Sequence, residues 1–267
     1  MRILFIGDIV GQPGRQAVAQ ILPKLKEELS PVFVIANGEN TAGVVGITRE
    51  IALDLNHYGV DVITLGNHAW AKKEAYPYID SDPGVLRPAN YPTGVPGRGS
   101  AIYTTGSGES IGVVSLCGRV FMEPLEHPFT TADRIIDAMK PDTHVILIDF
   151  HAEATSEKCA FGLYMDGRVS AVVGTHTHVQ TADEKVLPQG TAYITDVGMT
   201  GPIDSVIGVK TEIILSRFLT LLPARLEAAE GDSLFCAAVI DVNSSSGKAI
   251  GIRRLQIKNI TGKNSAR

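Results

Sequence analysis

The alternation of short apolar runs with stretches of helical spacing is the feature that most constrains the fold. Residues 2–7 and 32–36 are rich in aliphatic and β-branched side chains, whereas residues 15–29 and 48–58 carry apolar side chains at helical spacing. Strands that are separated by helices build βαβ units, and the inner strands of a parallel sheet are apolar throughout because both faces are covered. The pattern therefore predicts an α/β fold with a mainly parallel sheet.

Later parts of the chain continue this alternation and end in a hairpin. Residues 80–108 are rich in proline, glycine and turn residues, which predicts loops with short strands. Residues 233–242 and 249–257 alternate apolar and polar side chains around a turn-rich stretch, as an antiparallel hairpin does. The same criteria assign the remaining elements: strands at 60–65, 111–116, 145–148, 169–173 and 191–195, and helices at 131–139, 154–164 and 209–221. Because no linker or repeat interrupts the pattern, we expect one domain over residues 1–260 and a polar tail at 261–267.

Composition and charge exclude some classes of binding partner. The chain of 267 residues has a formal net charge of −5 and no long basic run, which argues against an extended nucleic-acid surface or an anionic membrane. No stretch approaches the roughly 20 apolar residues that span a bilayer, and the first residues read as a strand rather than a signal peptide. The widely separated Cys117, Cys159 and Cys236 predict neither a disulfide framework nor a thiolate zinc site. We therefore expect a cytoplasmic protein without membrane partners.

Two histidines lie just beyond the apolar run at 169–173. Side chains two positions apart in an extended chain point the same way, so His176 and His178 would present two ring nitrogens from one edge. Histidine is the commonest transition-metal ligand. Taken alone, two solvated histidines at the end of a strand are an equally good interpretation. The motif becomes informative because other strands also end in ligand-type residues.

Ligand-type side chains follow five of the predicted strands. Ligands of open α/β folds bind in the crevice beyond the carboxyl ends of the strands, and parallel strands bring these ends to one rim. Three other histidines, at positions 57, 127 and 144, do not fit this pattern. The residues that do fit are Asp8, Glu39, Asn40, Asn67, His68, His151, His176 and His178. The sequence therefore predicts that these side chains converge on one site.

The number and type of these side chains favour two metal ions over one. Two carboxylates, two amide oxygens and three or four imidazoles exceed the four positions of a tetrahedral zinc site, but suit two metals that share a carboxylate. A nitrogen and oxygen set without thiolate favours iron, manganese or zinc over calcium and magnesium, which prefer oxygen ligands.

Several of these motifs resemble those of a known superfamily. Residues 66–68 (Gly-Asn-His) and 174–178 (Gly-Thr-His-Thr-His) look like motifs of the calcineurin-like metallophosphoesterases. Residues 7–11 (Gly-Asp-Ile-Val-Gly), 36–40 (Ala-Asn-Gly-Glu-Asn) and 118–122 (Gly-Arg-Val-Phe-Met) resemble the YmdB family of that superfamily. The resemblance covers nearly the whole chain. It implies a calcineurin-like α-β-β-α sandwich of mixed, largely parallel sheets, with a dinuclear metal site at the carboxyl ends of the strands.

The sequence departs from the general superfamily pattern at the first motifs. The usual Asp-x-His is Asp8-Ile9-Val10 here, and Glu39 replaces the bridging aspartate. The YmdB resemblance implies that Asn40 ligates in place of the missing histidine. It implies two metal sites that share Glu39: Asp8, Glu39, Asn40 and His178 at the first, and Glu39, Asn67, His151 and His176 at the second. The metals would be iron, or alternatively manganese or zinc.

The resemblance also implies an activity, namely hydrolysis of small phosphodiesters, with 2′,3′-cyclic nucleotides such as 2′,3′-cAMP as the substrate class. A hydroxide that bridges the two metals would be the nucleophile. His68 would be the catalytic general acid or a phosphate contact, although it could instead only orient a metal ligand. Arg119 follows a strand near the same rim and could bind a phosphate oxygen, although a surface arginine is nearly as good an interpretation.

Two other functions stay open at this point. A metal-dependent nucleotide-binding regulator without turnover would use a similar site, although the usual phosphate-binding loops are missing from the sequence. A metal-dependent amidohydrolase would place its His-x-His on the first strand of a barrel, whereas this one lies late in the chain. The late hairpin and an exposed sheet edge would also suit a homo-oligomer.

Overall fold

The computed structural model describes residues 1–260, so the predicted polar tail at 261–267 lies outside the described residues. The helices are α1 Gly11–Leu29, α2 Arg49–Tyr58, α3 Tyr76–Ser81, α4 Pro128–Met139, α5 Thr155–Met165 and α6 Thr211–Thr220, with a 3₁₀ helix at Lys73–Ala75. The first seven strands are β1 Arg2–Ile6, β2 Asp8–Ile9, β3 Phe33–Asn37, β4 Val62–Thr64, β5 Val85–Leu86, β6 Ser100–Thr104 and β7 Ser110–Cys117. The remaining strands are β8 Val145–His151, β9 Ala171–Thr175, β10 Lys185–Val186, β11 Ala192–Ile194, β12 Met199–Pro202, β13 Ser233–Val242 and β14 Ala249–Asn259.

The strands form two sheets. The first has the order β2-β12-β13-β1-β3-β4-β5, with β14 paired to β13, and the second has the order β10-β11-β9-β8-β7-β6. Strands β1, β3, β4 and β5 pair in parallel in the first sheet, as β7, β8, β9 and β11 do in the second. The β13–β14 hairpin and the edge strands β6 and β10 pair antiparallel. Both sheets are therefore mixed and largely parallel in the middle.

The sheets and helices form layers that pack against one another through three apolar cores. One core lies between the sheets and joins side chains such as Phe5 and Ile35 of the first sheet to Val113 and Leu147 of the second. A second core packs α1 and α2 on the outer face of the first sheet, and a third packs α4 and α5 on the outer face of the second. The molecule is thus an α-β-β-α sandwich, which confirms the predicted fold class.

Most elements lie where the sequence predicts them, with two informative differences. Helix α1 begins at Gly11, four residues before the predicted start, since Pro13 lies in the first turn, where its missing N–H removes no intrahelical hydrogen bond. Helix α6 was expected to be amphipathic, yet only Ile214 of its residues is buried, while Phe218 and Leu219 are exposed. The apolar spacing of α6 therefore does not face this chain's core.

Within residues 1–260, no helix combines the length and the apolar character that crossing a bilayer requires. The single domain, the cytoplasmic location and self-association stay predictions from the sequence.

A buried aspartate joins the two sheets where their strands end. Asp149 on β8 accepts hydrogen bonds from Asn37 Nδ2 on β3 at 3.1 Å and from Thr64 Oγ1 on β4 at 2.5 Å. Thr175 Oγ1 on β9 donates to its other oxygen at 2.7 Å. These contacts bring the carboxyl ends of four parallel strands from two sheets to one rim.

A buried ion pair supports the loop that follows β9. Lys158 Nζ on α5 lies 2.6 Å from Asp196 Oδ2 and also donates to the Thr175 carbonyl at 2.6 Å, and both charged side chains are almost completely buried. Asp196 accepts further hydrogen bonds from the backbone N–H of Thr177 and of Gly198. Because Thr177 lies between His176 and His178, the ion pair fixes the backbone that carries both histidines.

We expect Lys158→Met to lower the free energy of unfolding by about 3–5 kcal/mol, because the change leaves the Asp196 carboxylate buried without a countercharge. The measurement is urea denaturation followed by circular dichroism. The matched control is Lys140→Met, which breaks an exposed ion pair with Asp137 and is expected to cost less than about 1 kcal/mol. Equal stability losses in the two variants would contradict this role of the ion pair.

Candidate metal centre

The predicted ligand residues all lie at the rim where the parallel strands end. Asp8 begins β2, Glu39 and Asn40 follow β3, and Asn67 and His68 follow β4. In the second sheet, His151 is the last residue of β8, whereas His176 and His178 follow β9. Contacts between these side chains link all eight of them into one cluster. The convergence predicted from the sequence is therefore present in the fold.

The densest part of the cluster surrounds His151 Nε2. Asn67 Oδ1 lies 3.0 Å, His176 Nδ1 3.0 Å and Glu39 Oε1 3.1 Å from this nitrogen. Glu39, His151 and His176 have the spacing of a metal-binding group. Ligands about 2.1 Å from one ion lie about 3.0 Å apart when they are at right angles. The spacing therefore fits a shared cation.

Hydrogen bonds on the far side of each ring fix the tautomers of the three histidines. His178 Nδ1 lies 2.8 Å from the Ile207 carbonyl, and His176 Nε2 lies 3.1 Å from Glu153 Oε2. Both partners accept hydrogen bonds, so these two ring nitrogens carry the hydrogen. His151 Nδ1 lies 2.9 Å from Thr175 Oγ1.

The hydroxyl of Thr175 already donates to Asp149, so it accepts from His151 Nδ1. Each of the three imidazoles thus directs its other nitrogen into the cluster, where His178 Nε2 faces Asn40 Nδ2. Such outer partners are typical of metal-bound histidine.

Asp8 supplies an acceptor that no donor reaches within residues 1–260. Its Oδ2 accepts the backbone N–H of His176 at 3.2 Å, but its buried Oδ1 has no hydrogen-bond partner. Oδ1 lies 3.9 Å from His178 Nε2, the ring nitrogen that faces into the cluster. A buried carboxylate oxygen without a donor is costly unless a cation compensates it. The donor set therefore fits a second metal position beside Asp8 and His178.

Glu39 and Asn40 lie between the two parts of the cluster. Glu39 Oε2 accepts the backbone N–H of His68 at 3.0 Å, while Oε1 faces both His151 and Asn40. The amide of Asn40 points its Nδ2 at His178 Nε2, 3.1 Å away, and its Oδ1 at His68 Nδ1, 2.9 Å away. Ligation through Asn40 requires the amide to rotate by 180°, which exchanges the positions of these two atoms.

The backbone of the His-x-His motif differs from the sequence expectation. Strand β9 ends at Thr175, and His176 and His178 adopt φ values of +98 and +64 rather than an extended conformation. Strand alternation therefore does not set the directions of the two rings, contrary to the expectation from the sequence. Positive φ is strained for residues other than glycine, and such strain is characteristic of functional sites.

The electrostatics of the cluster favour a bound cation. Burial opposes a charge on His151, but the neighbouring Glu39 and Asp8 carboxylates outweigh it and raise the pKa of His151. Burial together with the His151 charge lowers the pKa of His176 to about 3. Burial also raises the pKa of Asp8 to about 6. A proton on His151 and a metal ion are therefore alternatives, and metal binding would release the proton.

Gly66 leaves the space in which two of these side chains meet. A Cβ atom at this position would overlap the ring of His151 and the carboxylate of Glu39. The glycine of the Gly-Asn-His motif therefore allows both groups to approach the backbone after β4.

An open cavity of about 390 Å³ adjoins the cluster and is lined by Asn67, Phe121, Met122, Glu123 and His176. Arg119 has an exposed side chain two residues before Phe121, and its backbone N–H contacts Glu157 at 2.9 Å. Phosphate binding by Arg119 stays a prediction.

The partners that orient the histidines were not predicted from the sequence. Asp149 lies two residues before His151 on β8, so strand alternation places both on the same face, and this signal could have identified it. Glu153, Thr175 and the Ile207 carbonyl carried no comparable signal, because their roles depend on contacts between distant segments.

Comparison with known proteins identifies relatives that match along nearly the whole chain. A family model described as YmdB-like protein matches residues 4–255. A 2′,3′-cyclic-nucleotide 2′-phosphodiesterase of Bacillus subtilis (strain 168) is 53% identical over 257 residues, which cover 96% of this chain and 97% of that protein.

Two solved structures share the fold. A hypothetical protein of Thermus thermophilus is 45% identical, with a TM-score of 0.91 and coverage of 97% of this chain and 100% of the other. A structure described as a novel phosphatase of Mycoplasma pneumoniae is 32% identical, with a TM-score of 0.92 and coverage of 97% and 94%. From the family model and the identity to these relatives, we conclude that the chain belongs to the YmdB-like protein family.

Proposed function

We propose that this protein is a metal-dependent phosphodiesterase that hydrolyses 2′,3′-cyclic nucleotides, such as 2′,3′-cAMP, at the bond to the 2′ oxygen. One observation carries the proposal: Glu39 Oε1, Asn67 Oδ1 and His176 Nδ1 each lie about 3 Å from His151 Nε2, next to an open cavity. The substrate class is that in the name of the Bacillus subtilis relative, which is 53% identical.

The residues around His151 and those around Asp8 would hold two metal ions that share Glu39. Metals bound there would lower the pKa of a water molecule and stabilise negative charge on phosphoryl oxygens. The nitrogen and oxygen donors favour iron, and alternatively manganese or zinc, because no thiolate takes part and three imidazoles do.

Outer contacts keep this site ready for binding. Glu153, Thr175 and the Ile207 carbonyl hold the three imidazoles with one nitrogen facing inwards, so the rings need not reorient when a ligand arrives. Preorganised groups spend no free energy on reorganisation during the reaction.

His68 would act at the leaving group. Its Nδ1 lies 2.9 Å from Asn40 Oδ1 and 3.4 Å from Glu39 Oε1, and the side chain is about one-third exposed. With the Asn40 amide rotated for ligation, its Nδ2 would donate to His68 Nδ1, so that the opposite nitrogen, Nε2, carries the hydrogen and faces substrate. As water adds to phosphorus and the bond to the 2′ oxygen breaks, His68 Nε2 would protonate that oxygen and give the 3′-nucleotide.

We expect Glu39→Gln to bind less metal and to lower kcat/KM for 2′,3′-cAMP by at least about 10²–10³-fold, because an amide cannot supply the charge that both parts of the cluster share. Metal content is measured by elemental analysis after reconstitution of chelator-treated protein with Mn²⁺ or Fe²⁺, and activity by release of 3′-AMP.

The matched control is Glu74→Gln, which makes the same chemical change at an exposed position. Stoichiometric metal and full activity in Glu39→Gln would contradict the assignment. Tight, metal-dependent binding of 2′,3′-cAMP by the wild type without product would instead support the nucleotide-binding regulator.

We expect His68→Gln to lower kcat for 2′,3′-cAMP by about 10²–10⁴-fold and to leave metal content unchanged, because a ribose oxygen is a poor leaving group without a proton. With bis(p-nitrophenyl) phosphate the loss should be small, since p-nitrophenolate leaves without protonation. His57→Gln, at an exposed position on α2, is the matched control. Equal losses on both substrates would show a phosphate contact rather than a general acid.

A further inference from the structure

The turn after β7 places an aromatic residue in an unfavourable backbone conformation. The N–H of Met122 donates to the Arg119 carbonyl at 3.3 Å, and Phe121 adopts φ +62. This position is the third residue of the turn, where a positive φ favours glycine or asparagine. Backbone preference therefore does not explain a phenylalanine here.

Burial does not explain Phe121 either. Its side chain is 89% exposed, the largest value among the exposed large apolar side chains of residues 1–260. The ring thus contributes little to the apolar cores of the chain. A strained, solvent-exposed aromatic residue beside a candidate active site is better explained by a ligand.

The position of Phe121 relative to the metal-binding cluster indicates which part of a ligand it meets. Phe121 lines the 390 Å³ cavity together with Asn67 and His176, which belong to the cluster. Because this cavity is an open space beside the cluster, the rest of a phosphodiester held at the cluster would extend into it. In a cyclic nucleotide, that part is the ribose with its base.

Glu157 on α5 holds the backbone of this turn by hydrogen bonds. The carboxylate of Glu157 accepts the backbone N–H of Arg119 at 2.9 and 3.2 Å and that of Val120 at 3.2 Å. Gly118 permits this approach, because a Cβ there would lie 2.5 Å from Glu157 Oε2 and 2.6 Å from the Ala152 Cβ. The backbone of Phe121 is therefore held in place without help from its exposed ring.

We propose that Phe121 forms a stacking subsite for the nucleobase of the substrate and that Glu157 is the positioning residue for this subsite. The inference rests on the proposed function, which supplies a substrate with a planar base next to its phosphate. Aromatic side chains stack on any of the bases, so the subsite distinguishes nucleotides from simple phosphodiesters rather than one base from another.

The test compares two substrates that share the reacting group, namely 2′,3′-cAMP and methyl riboside 2′,3′-cyclic phosphate, which lacks a base. Phe121→Ala is expected to raise KM for 2′,3′-cAMP by about 5- to 100-fold with little change in kcat, as expected for a lost base stack. The base-free substrate should be hydrolysed equally well by both proteins. Phe121→Trp should retain the low KM for 2′,3′-cAMP.

Phe218→Ala, the same change at another exposed phenylalanine, is the matched control and is expected to leave both substrates unaffected. Glu157→Ala should raise KM for 2′,3′-cAMP by a larger factor than KM for the base-free substrate. Unchanged KM in Phe121→Ala, or equal losses on both substrates, would overturn the stacking subsite.

A wild-type protein that hydrolyses neither compound would overturn the proposed function but would not test the stacking subsite, which is then tested by binding. Stacking is then measured by calorimetric binding of adenosine 3′-monophosphate and ribose 3-phosphate to metal-loaded protein. A Phe121→Ala variant that loses affinity only for the nucleotide would support the subsite, and one that retains this affinity would overturn it.

Discussion

Lone pairs that face one another at the ends of the parallel strands are the constraint on which the rest of the structure depends. Asn67 Oδ1, Glu39 Oε1 and His176 Nδ1 all lie within 3.1 Å of His151 Nε2. Acceptor atoms at these distances repel one another unless a cation lies among them. Folding therefore creates a site whose charge only a proton or a metal ion can balance.

Much of the surrounding structure holds this unfavourable arrangement in place. Asp149 links strands of both sheets and, through Thr175, fixes the tautomer of His151. The buried pair of Lys158 and Asp196 holds the loop that carries the other two histidines. A buried ion pair contributes little net stability, but losing one partner is costly, so the pair specifies a geometry more than it strengthens the fold. The apolar cores of the sandwich supply the stability that this geometry requires.

Local patterns in the sequence predicted the largely parallel α/β fold and the convergence of ligands, whereas the two-sheet sandwich was predicted from the family resemblance. Apolar runs and helical spacing identified most of the elements, and the polar residues after each run marked the rim. The details of the site depend on nonlocal contacts. The positive φ of His176 comes from a loop held by Asp196, and the orientation of His178 comes from the Ile207 carbonyl. In helix α6 a local pattern gave a wrong prediction. Its helical spacing predicted a buried apolar face, but residues such as Phe218 are exposed.

The most direct test of the central claim is anomalous diffraction from crystals of metal-reconstituted protein, collected at the absorption edge of the added metal. We expect two peaks, one about 2.0–2.2 Å from His151 Nε2 and His176 Nδ1 and the other at a similar distance from Asp8 Oδ1 and His178 Nε2, with Glu39 between them. Absence of anomalous density at these atoms in crystals that contain stoichiometric metal would contradict the assignment of the cluster as a metal centre.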